Sequence, residues 1–252
     1  MLTLSASRIQ TYLACPLRYR FRYVDKIPAP WRPAALAFGT SIHAAVEWFH
    51  RERFEGREPT ADHVLEIFGA DWFAQNLEPL VFADRDSEES LGEKGRAMLA
   101  LYVEESDGVV PRFIEERFET DLVDPETGEA LDLKLLGVID LIDHGGTLVE
   151  LKTGARRYSQ GDVDRHLQLS LYALATFLIT GRIPNLRIDL LLKTKEPKLE
   201  RYRSSRTLED LGWTARLARG VGQAIESGHF YPSPSWQCTE CEYFGTCQAW
   251  RD

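Results

Sequence analysis

The stretch that decides the fold is Gly137-Val-Ile-Asp140-Leu-Ile-Asp143-His-Gly-Gly-Thr-Leu-Val-Glu150-Leu-Lys152-Thr-Gly154. Val138, Ile139, Leu141 and Ile142 surround Asp140, and Leu148, Val149 and Leu151 surround Glu150. Apolar residues on both sides of each acid predict strands covered on both faces. His144-Gly145-Gly146 supplies a turn, so the two strands are expected to form a hairpin with Asp140 across from Glu150 and Lys152. Glu150 and Lys152, two residues apart on a strand, point to one face. An ionised carboxylate among apolar neighbours needs a partner or a cation, because desolvation opposes its charge. Two carboxylates and the Leu151 carbonyl make an oxygen-rich set that suits Mg²⁺ or Mn²⁺. The competing reading is a cross-strand Asp140–Lys152 ion pair, with Glu150 at a sheet edge.

Outward from this hairpin, Arg112–Leu122 and Leu131–Asp143 are expected as strands around an Asp124–Gly128 turn, followed by a strand over Thr147–Lys152. Asp162–Thr180 reads as one long helix ended by Gly181. Leu186–Lys193 and Lys198–Ser204 read as a strand pair, and Thr207 opens a helix to about Ser227. Upstream, Ser5 caps a short helix over Ser7–Ala14 that Pro16 terminates. Leu17–Val24 alternates Arg18, Arg20 and Arg22 with Tyr19, Phe21 and Tyr23, a period of two that predicts an extended segment. Thr40 or Ser41 is expected to open a helix through about Arg53. Two more helices follow near Ala61–Gln75 and Glu88–Glu105, with an acidic, mobile loop at Asn76–Ser87 between them. The tail from Pro232 reads as loop. The expected class is α/β (α+β), a mixed central sheet flanked by helices. Its parts are a helical insertion over 54–110, a core over 111–206 and a tail over 232–252, all in one domain.

The chain has 252 residues, with 30 Lys+Arg against 39 Asp+Glu. That balance argues against a passive coat on nucleic acid but leaves room for a local basic groove. No apolar run is long enough for a membrane span, and Met1–Gln10 lacks the layout of a signal peptide, so a soluble cytoplasmic protein is expected. There is no Gly-x4-Gly-Lys-Ser/Thr loop, which excludes an ATP-driven helicase within this chain. Four cysteines are present: Cys15 alone, and Cys238, Cys241 and Cys247 within ten residues. In a reducing compartment four such thiols suit zinc or an iron–sulfur cluster, and spacing alone does not separate the two. Gln168 and Tyr172, four apart on a helix, share one face. His43 follows Phe38-Gly39-Thr40, and Glu47 and His50 lie on nearly the same helix face, a cluster ranked below His43.

Asp140 with Glu150-Leu-Lys152 resembles the Asp…(Asp/Glu)-x-Lys signature of the PD-(D/E)XK nuclease superfamily. Gln168-x3-Tyr172 and Gly39-Thr-x-x-His43 resemble motifs of its RecB-like branch. One cysteine before the histidine helix and three after the core resemble the four-cysteine [4Fe–4S] subgroup, which includes the nuclease domain of AddB and the exonuclease associated with CRISPR adaptation. The likeness runs from Ser5 to Cys247 and departs between about Phe54 and Val110, where no motif is assigned.

The resemblance implies a restriction-endonuclease-like fold and hydrolysis of DNA phosphodiesters dependent on Mg²⁺ or Mn²⁺, by an exonuclease acting on single strands or ends in repair, recombination or CRISPR adaptation. His43, Asp140, Glu150 and the Leu151 carbonyl would hold the metal. Lys152 would position water or stabilise charge, and Gln168 and Tyr172 would bind phosphate or hold the lysine. Cys15, Cys238, Cys241 and Cys247 would ligate a [4Fe–4S] cluster, with zinc as the alternative. Arg18, Arg20, Arg22, Arg156 and Arg157 would contact nucleic acid, and a helicase or a CRISPR-adaptation protein would be a partner on another chain. The alternative from a different class is an iron–sulfur or zinc nucleic-acid-binding subunit without independent catalysis. A third is a zinc-stapled interaction domain whose carboxylates are structural.

Overall fold

A computed structural model describes residues 1–106 and 109–250. The long strand at its centre, β5 (Ala130–Ile142), pairs along one edge with β4 (Phe113–Val123), antiparallel. Its other edge is shared. β1 (Leu2–Leu4) runs parallel beside Leu133–Leu135, and β6 (Leu148–Gly154) pairs antiparallel with only Leu141 and Ile142. β7 (Leu186–Leu192) continues the sheet parallel to β6, and β8 (Lys198–Ser204) closes it antiparallel. Among the described residues this gives a mixed six-stranded sheet. β1 was not expected from the sequence, because three residues carry no readable alternation.

Helices cover both faces. α1 (Ala6–Ala14), α7 (Leu167–Thr180) and α8 (Leu208–Glu226) bury Ile9, Leu171, Leu174, Ala215 and Ala218 against Leu133, Leu135, Ile188 and Leu190. On the opposite face α3 (Ala34–Phe54), α4 (Ala61–Gln75) and α5 (Glu88–Glu105) form a second core of Phe38, Ile42, Phe49, Phe68, Trp72, Met98 and Leu99, seated on Leu151 and Leu191. The segment expected as an insertion therefore supplies most of one layer of an α/β/α stack. Ser5, Thr60, Ser87 and Thr207 each accept a backbone N–H at a helix start, as Ser/Thr caps do.

Several elements differ from the sequence expectation. Leu17–Val24 is helical, not extended: α2 (Pro16–Tyr19) passes into a π-helical turn over Arg20–Val24. Pro16 starts this helix at its first position, where a missing N–H costs nothing, and the alternation of arginine and aromatic is incidental. α3 begins at Ala34, without a side-chain cap, so Gly39-Thr40 lies inside it and His43 sits in its third turn rather than its first. A Cβ on Gly39 would come within 3.5 Å of Thr153 Oγ1, so the helix rests directly on the end of β6 here.

The helix expected over Asp162–Thr180 is two: α6 (Gln160–Asp164) and α7, broken at Arg165-His166, where His166 is extended. The acidic loop holds a two-residue strand, β3 (Leu80–Val81), paired with β2 (Arg32–Pro33), and its Asp86 binds Lys94 and Lys193 at 2.8 Å each. The tail is not loop throughout; it contains a 3-10 turn at Trp236–Glu240 and α9 (Phe244–Ala249). Among the described residues no helix is long and apolar enough to cross a membrane.

Candidate active site

The gap along the shared edge of β5 is where the site forms. Beyond Leu141 the strands β5 and β6 stop pairing, and the freed N–H of Leu151 donates to Asp140 Oδ2 at 2.8 Å. The register that sets Leu141 against Val149 brings Asp140 opposite Glu150, as the hairpin reading expected. Lys152 Nζ donates to Glu150 Oε1 at 2.6 Å and to Gln168 Oε1 at 2.7 Å. The Gln168 amide in turn donates to the Tyr172 hydroxyl at 2.9 Å, and Tyr172 packs edge-on against Phe118. Four residues from one strand and one helix thus form a continuous chain. Lys152 is paired with Glu150, not with Asp140, which removes the simple cross-strand ion-pair reading.

On the α3 side, His43 Nδ1 lies 3.7 Å from Asp140 Oδ2, and its ring hydrogen-bonds the Leu151 backbone. Burial holds the His43 imidazole below its ordinary value, only partly offset by nearby Glu150, so the ring is neutral and its lone pair usable. Burial pushes Asp140 up to about 7, against the opposing pull of the Leu151 N–H and Lys152. Glu150 is likewise raised to about 7 by burial, with Lys152 opposing and Asp140 adding to it. Glu150 is 1% exposed, and its Oε2 has no hydrogen-bond partner.

This donor set fits a divalent cation. Buried carboxylates with raised pKa values, an orphaned carboxylate oxygen and a neutral imidazole are groups whose free energy a positive ion would lower. As placed, no three His, Cys, Asp or Glu donors among the described residues close on a single point, so ligation requires these side chains to draw inward.

The pH consequence has a definite sign. A carboxyl whose folded pKa is raised contributes stability that is full below about pH 4 and is lost as pH rises through about 7. The cation-free protein should therefore lose stability relative to Asp140→Asn as pH rises from 5 to 8, by roughly 2–4 kcal/mol. Mn²⁺ should restore it to the wild type alone. Thermal melts at both pH values, with chelator and with Mn²⁺, check this; a gap independent of pH would contradict the burial argument.

The four cysteines lie elsewhere but together. Cys15 sits at the break between α1 and α2, and Cys238, Cys241 and Cys247 come from the tail. All four line one cavity of about 430 Å³ with Leu17, Phe21, Tyr243 and Trp250. None is in a disulfide. Burial raises the Cys241 and Cys247 thiols, and Cys15 adds to both. Thiols that share a cavity ionise together only around a strongly positive centre, and as placed no three of these among the described residues could hold a metal ion, so ligation here would require them to draw closer.

Of the arginines, Arg18 is held by Glu242 at 2.7 Å and Arg20 by Asp25 at 3.1 Å. Arg22 lies over the Tyr23 ring, and Arg157 binds Glu200 at 2.7 Å. Arg156 is exposed. In a helix Arg20 does not share a face with Arg18 and Arg22, so the single basic strip read from the sequence is not formed.

Sequence reasoning missed Glu115 and His166. Glu115 lies on β4 between Ile114, opposite Leu141, and Glu116, opposite Ile139, close enough to raise Asp140, and has φ +50°. His166 lies near Lys152, is pushed down to about 4 by burial, and has a ring Nδ1 with no partner. Neither belongs to a periodic pattern, and only pairing across strands or a helix break reveals them.

Comparison with known proteins bears on the fold and the family. A crystal structure from Eubacterium rectale, of a protein named as a candidate exonuclease, matches with a TM-score of 0.60 over 99% of this chain and 88% of that one, at 14% identity. That likeness supports the fold. The structure of SSO0001 covers 98% and 86% at 13% identity, but its TM-score of 0.42 is too low to carry an argument. The Gene 69 protein of Mycobacterium phage L5 is 34% identical over 67 residues, which are 25% of this chain and 22% of that protein. The family model of the PD-(D/E)XK nuclease superfamily matches residues 3–248, and with that extent of agreement the chain belongs to the PD-(D/E)XK nuclease superfamily.

Proposed function

We propose that this chain is a deoxyribonuclease that hydrolyses phosphodiester bonds with Mg²⁺ or Mn²⁺, as an exonuclease on single-stranded DNA or DNA ends, in the manner of the RecB-like branch. The observation that carries the reading is the unbroken chain from Glu150 through Lys152 and Gln168 to Tyr172, standing beside Asp140 and His43. Asp140, Glu150, His43 and the Leu151 carbonyl would hold the cation. When bound, the divalent ion supplies Lewis-acid polarisation of the scissile phosphate.

The chain's own residues do the rest. Gln168 fixes the Lys152 ammonium in place, so its charge and protons are preorganised toward a phosphate oxygen or attacking water. Tyr172 locks the Gln168 amide with its carbonyl toward the lysine. Asp140 and His43 set the opposite wall of the cleft. Arg156, on the exposed segment after β6, would grip the phosphate backbone. Its four neighbours in the original basic set are spent on internal partners or an aromatic face and contribute less.

On this reading residues 1–252 act as one nuclease unit, with a [4Fe–4S] cluster on Cys15, Cys238, Cys241 and Cys247 tying the tail to α1 and α2. Two features support a cluster there: a shared cavity and four thiols outside any disulfide. A helicase or a CRISPR-adaptation protein on another chain would deliver strands or ends.

The test is digestion of end-labelled single- and double-stranded DNA with Mg²⁺, Mn²⁺ or EDTA. The expected result is cation-dependent release of short products from single-stranded ends, abolished by EDTA. Binding without cleavage in every metal would favour a non-catalytic nucleic-acid-binding subunit instead.

A further inference from the structure

At the start of α3, beside the tail, lies a pocket of about 410 Å³, a size usual for small-ligand sites. Its walls include Arg22 from the π-helical turn, Trp31 and Arg32 at the start of β2, Leu36 from α3, and the acids Glu78 and Glu242. The acids do not cancel the arginines. Glu242 is gripped through both oxygens by Arg18. Glu78 is exposed and 3.7 Å from Arg32, a loose surface pair that stabilises little and yields to a competing anion.

The Nε–H of Arg32 is buried with no acceptor, and a buried donor left so costs free energy. Arg22 has no carboxylate partner among the described residues, and its contact with the Tyr23 ring leaves N–H donors for an anion. Trp31 is half-buried, and among the described residues no other ring packs on its indole. A free aromatic face beside two guanidinium groups matches an unstacked nucleobase and the phosphates that flank it. A duplex offers no such base, because its bases are already stacked and paired.

α3 connects this pocket with the carboxylate cleft. Leu36, Thr40, His43 and Glu47 recur at spacings of four, three and four, so they share one face of the helix. Leu36 is 52% exposed, Thr40 is exposed and His43 is half-buried, so this face is accessible along its length. From Leu36 to His43 the helix rises about 10 Å, a span of a few nucleotides.

We propose that this pocket holds one nucleotide of a single DNA strand, its base against Trp31 and its phosphates on Arg22 and Arg32, while α3 leads the strand on to His43 and Asp140. The site takes its substrate class from the nuclease reading, but its occupancy is measured without cleavage, so the two can fail separately.

The experiment follows the fluorescence anisotropy of a short labelled oligothymidylate with the whole protein as isolated, in EDTA to prevent cleavage. Trp31→Ala should weaken binding roughly tenfold to a hundredfold, the scale of one lost base-stacking contact. Trp31→Phe should recover most of the loss, and affinity for a duplex of equal length should be unchanged in both. Arg22→Gln should flatten the slope of log Kd against log salt concentration by about 0.7, the share of one phosphate on a single strand. Circular dichroism confirms the fold, and Arg22 is exposed, so its variant keeps the test decisive if Trp31→Ala unfolds. No binding by the wild type, wild-type affinity in a folded Trp31→Ala, an equal loss on duplex, or an unchanged salt slope in Arg22→Gln overturns the pocket. Trp31-dependent binding by a chain that cleaves no DNA in any metal would instead overturn the nuclease reading and leave this pocket standing.

Discussion

Lys152→Ala should lower DNA hydrolysis by about a hundredfold to a thousandfold, the scale seen when one preorganised charge-stabilising donor is removed. The fold should survive, because the lysine is partly exposed and its loss leaves the apolar face of β6 intact. Asp140→Ala and Glu150→Ala should do as much or more by removing cation donors. Their stabilities should hold or rise in the absence of metal, since each variant deletes a carboxyl that burial disfavours as an anion. Cleavage rates with Mn²⁺ and chelator-treated melting curves, measured on the same preparations, separate a catalytic loss from a folding loss. Wild-type cleavage by any of the three would remove that residue from the proposed machinery. Gln168→Ala makes a graded comparison: the Lys152 ammonium keeps its charge but loses its clamp, so the loss should be smaller than for Lys152→Ala.

Cys241→Ser should abolish the visible absorption expected of a [4Fe–4S] protein and release the tail. Among the described residues a small apolar cluster of Leu17, Phe21 and Tyr243, with Cys15, Cys241, Cys247 and partly buried neighbours around it, joins the tail to the N-terminal helices, helped by the Arg18–Glu242 ion pair. So little buried area contributes a few kcal/mol at most by roughly 25 cal/mol per Å². Metal ligation can add on the order of 10 kcal/mol in sites of this kind. Loss of one thiolate should therefore make the tail the first segment to be cut by protease and lower solubility. Anaerobic purification followed by absorption spectra and iron, sulfide and zinc analysis checks the identity of the group. A colourless wild type containing zinc would replace the cluster with a zinc staple and leave the mechanical argument unchanged.

Much of the site was legible because strand chemistry is local. The apolar runs around Asp140 and Glu150 specify strands, and the Gly145-Gly146 turn specifies a hairpin. Those two facts place the acids opposite each other, as observed. Gln168 and Tyr172 were legible through helical spacing, and their chain to Lys152 was not, since it depends on α7 packing over β6. The arginine–aromatic alternation misled because period two in an eight-residue stretch is weak evidence, and the Pro16 helix start overrode it. Glu115 and His166 were not legible, since only the pairing of β4 with β5 and the break between α6 and α7 place them near the site.

The amino-acid order alone determined most elements of the core, the hairpin that opposes two acids, and the grouping of three thiols in the tail, because each follows from spacing over a few residues. Only the tertiary structure decided that α3, α4 and α5 form a full layer, that β5 and β6 part at Asp140, and that Cys15 meets the tail across more than two hundred residues of chain. Those outcomes depend on burial and on contacts between segments distant in sequence, where no local propensity carries the information.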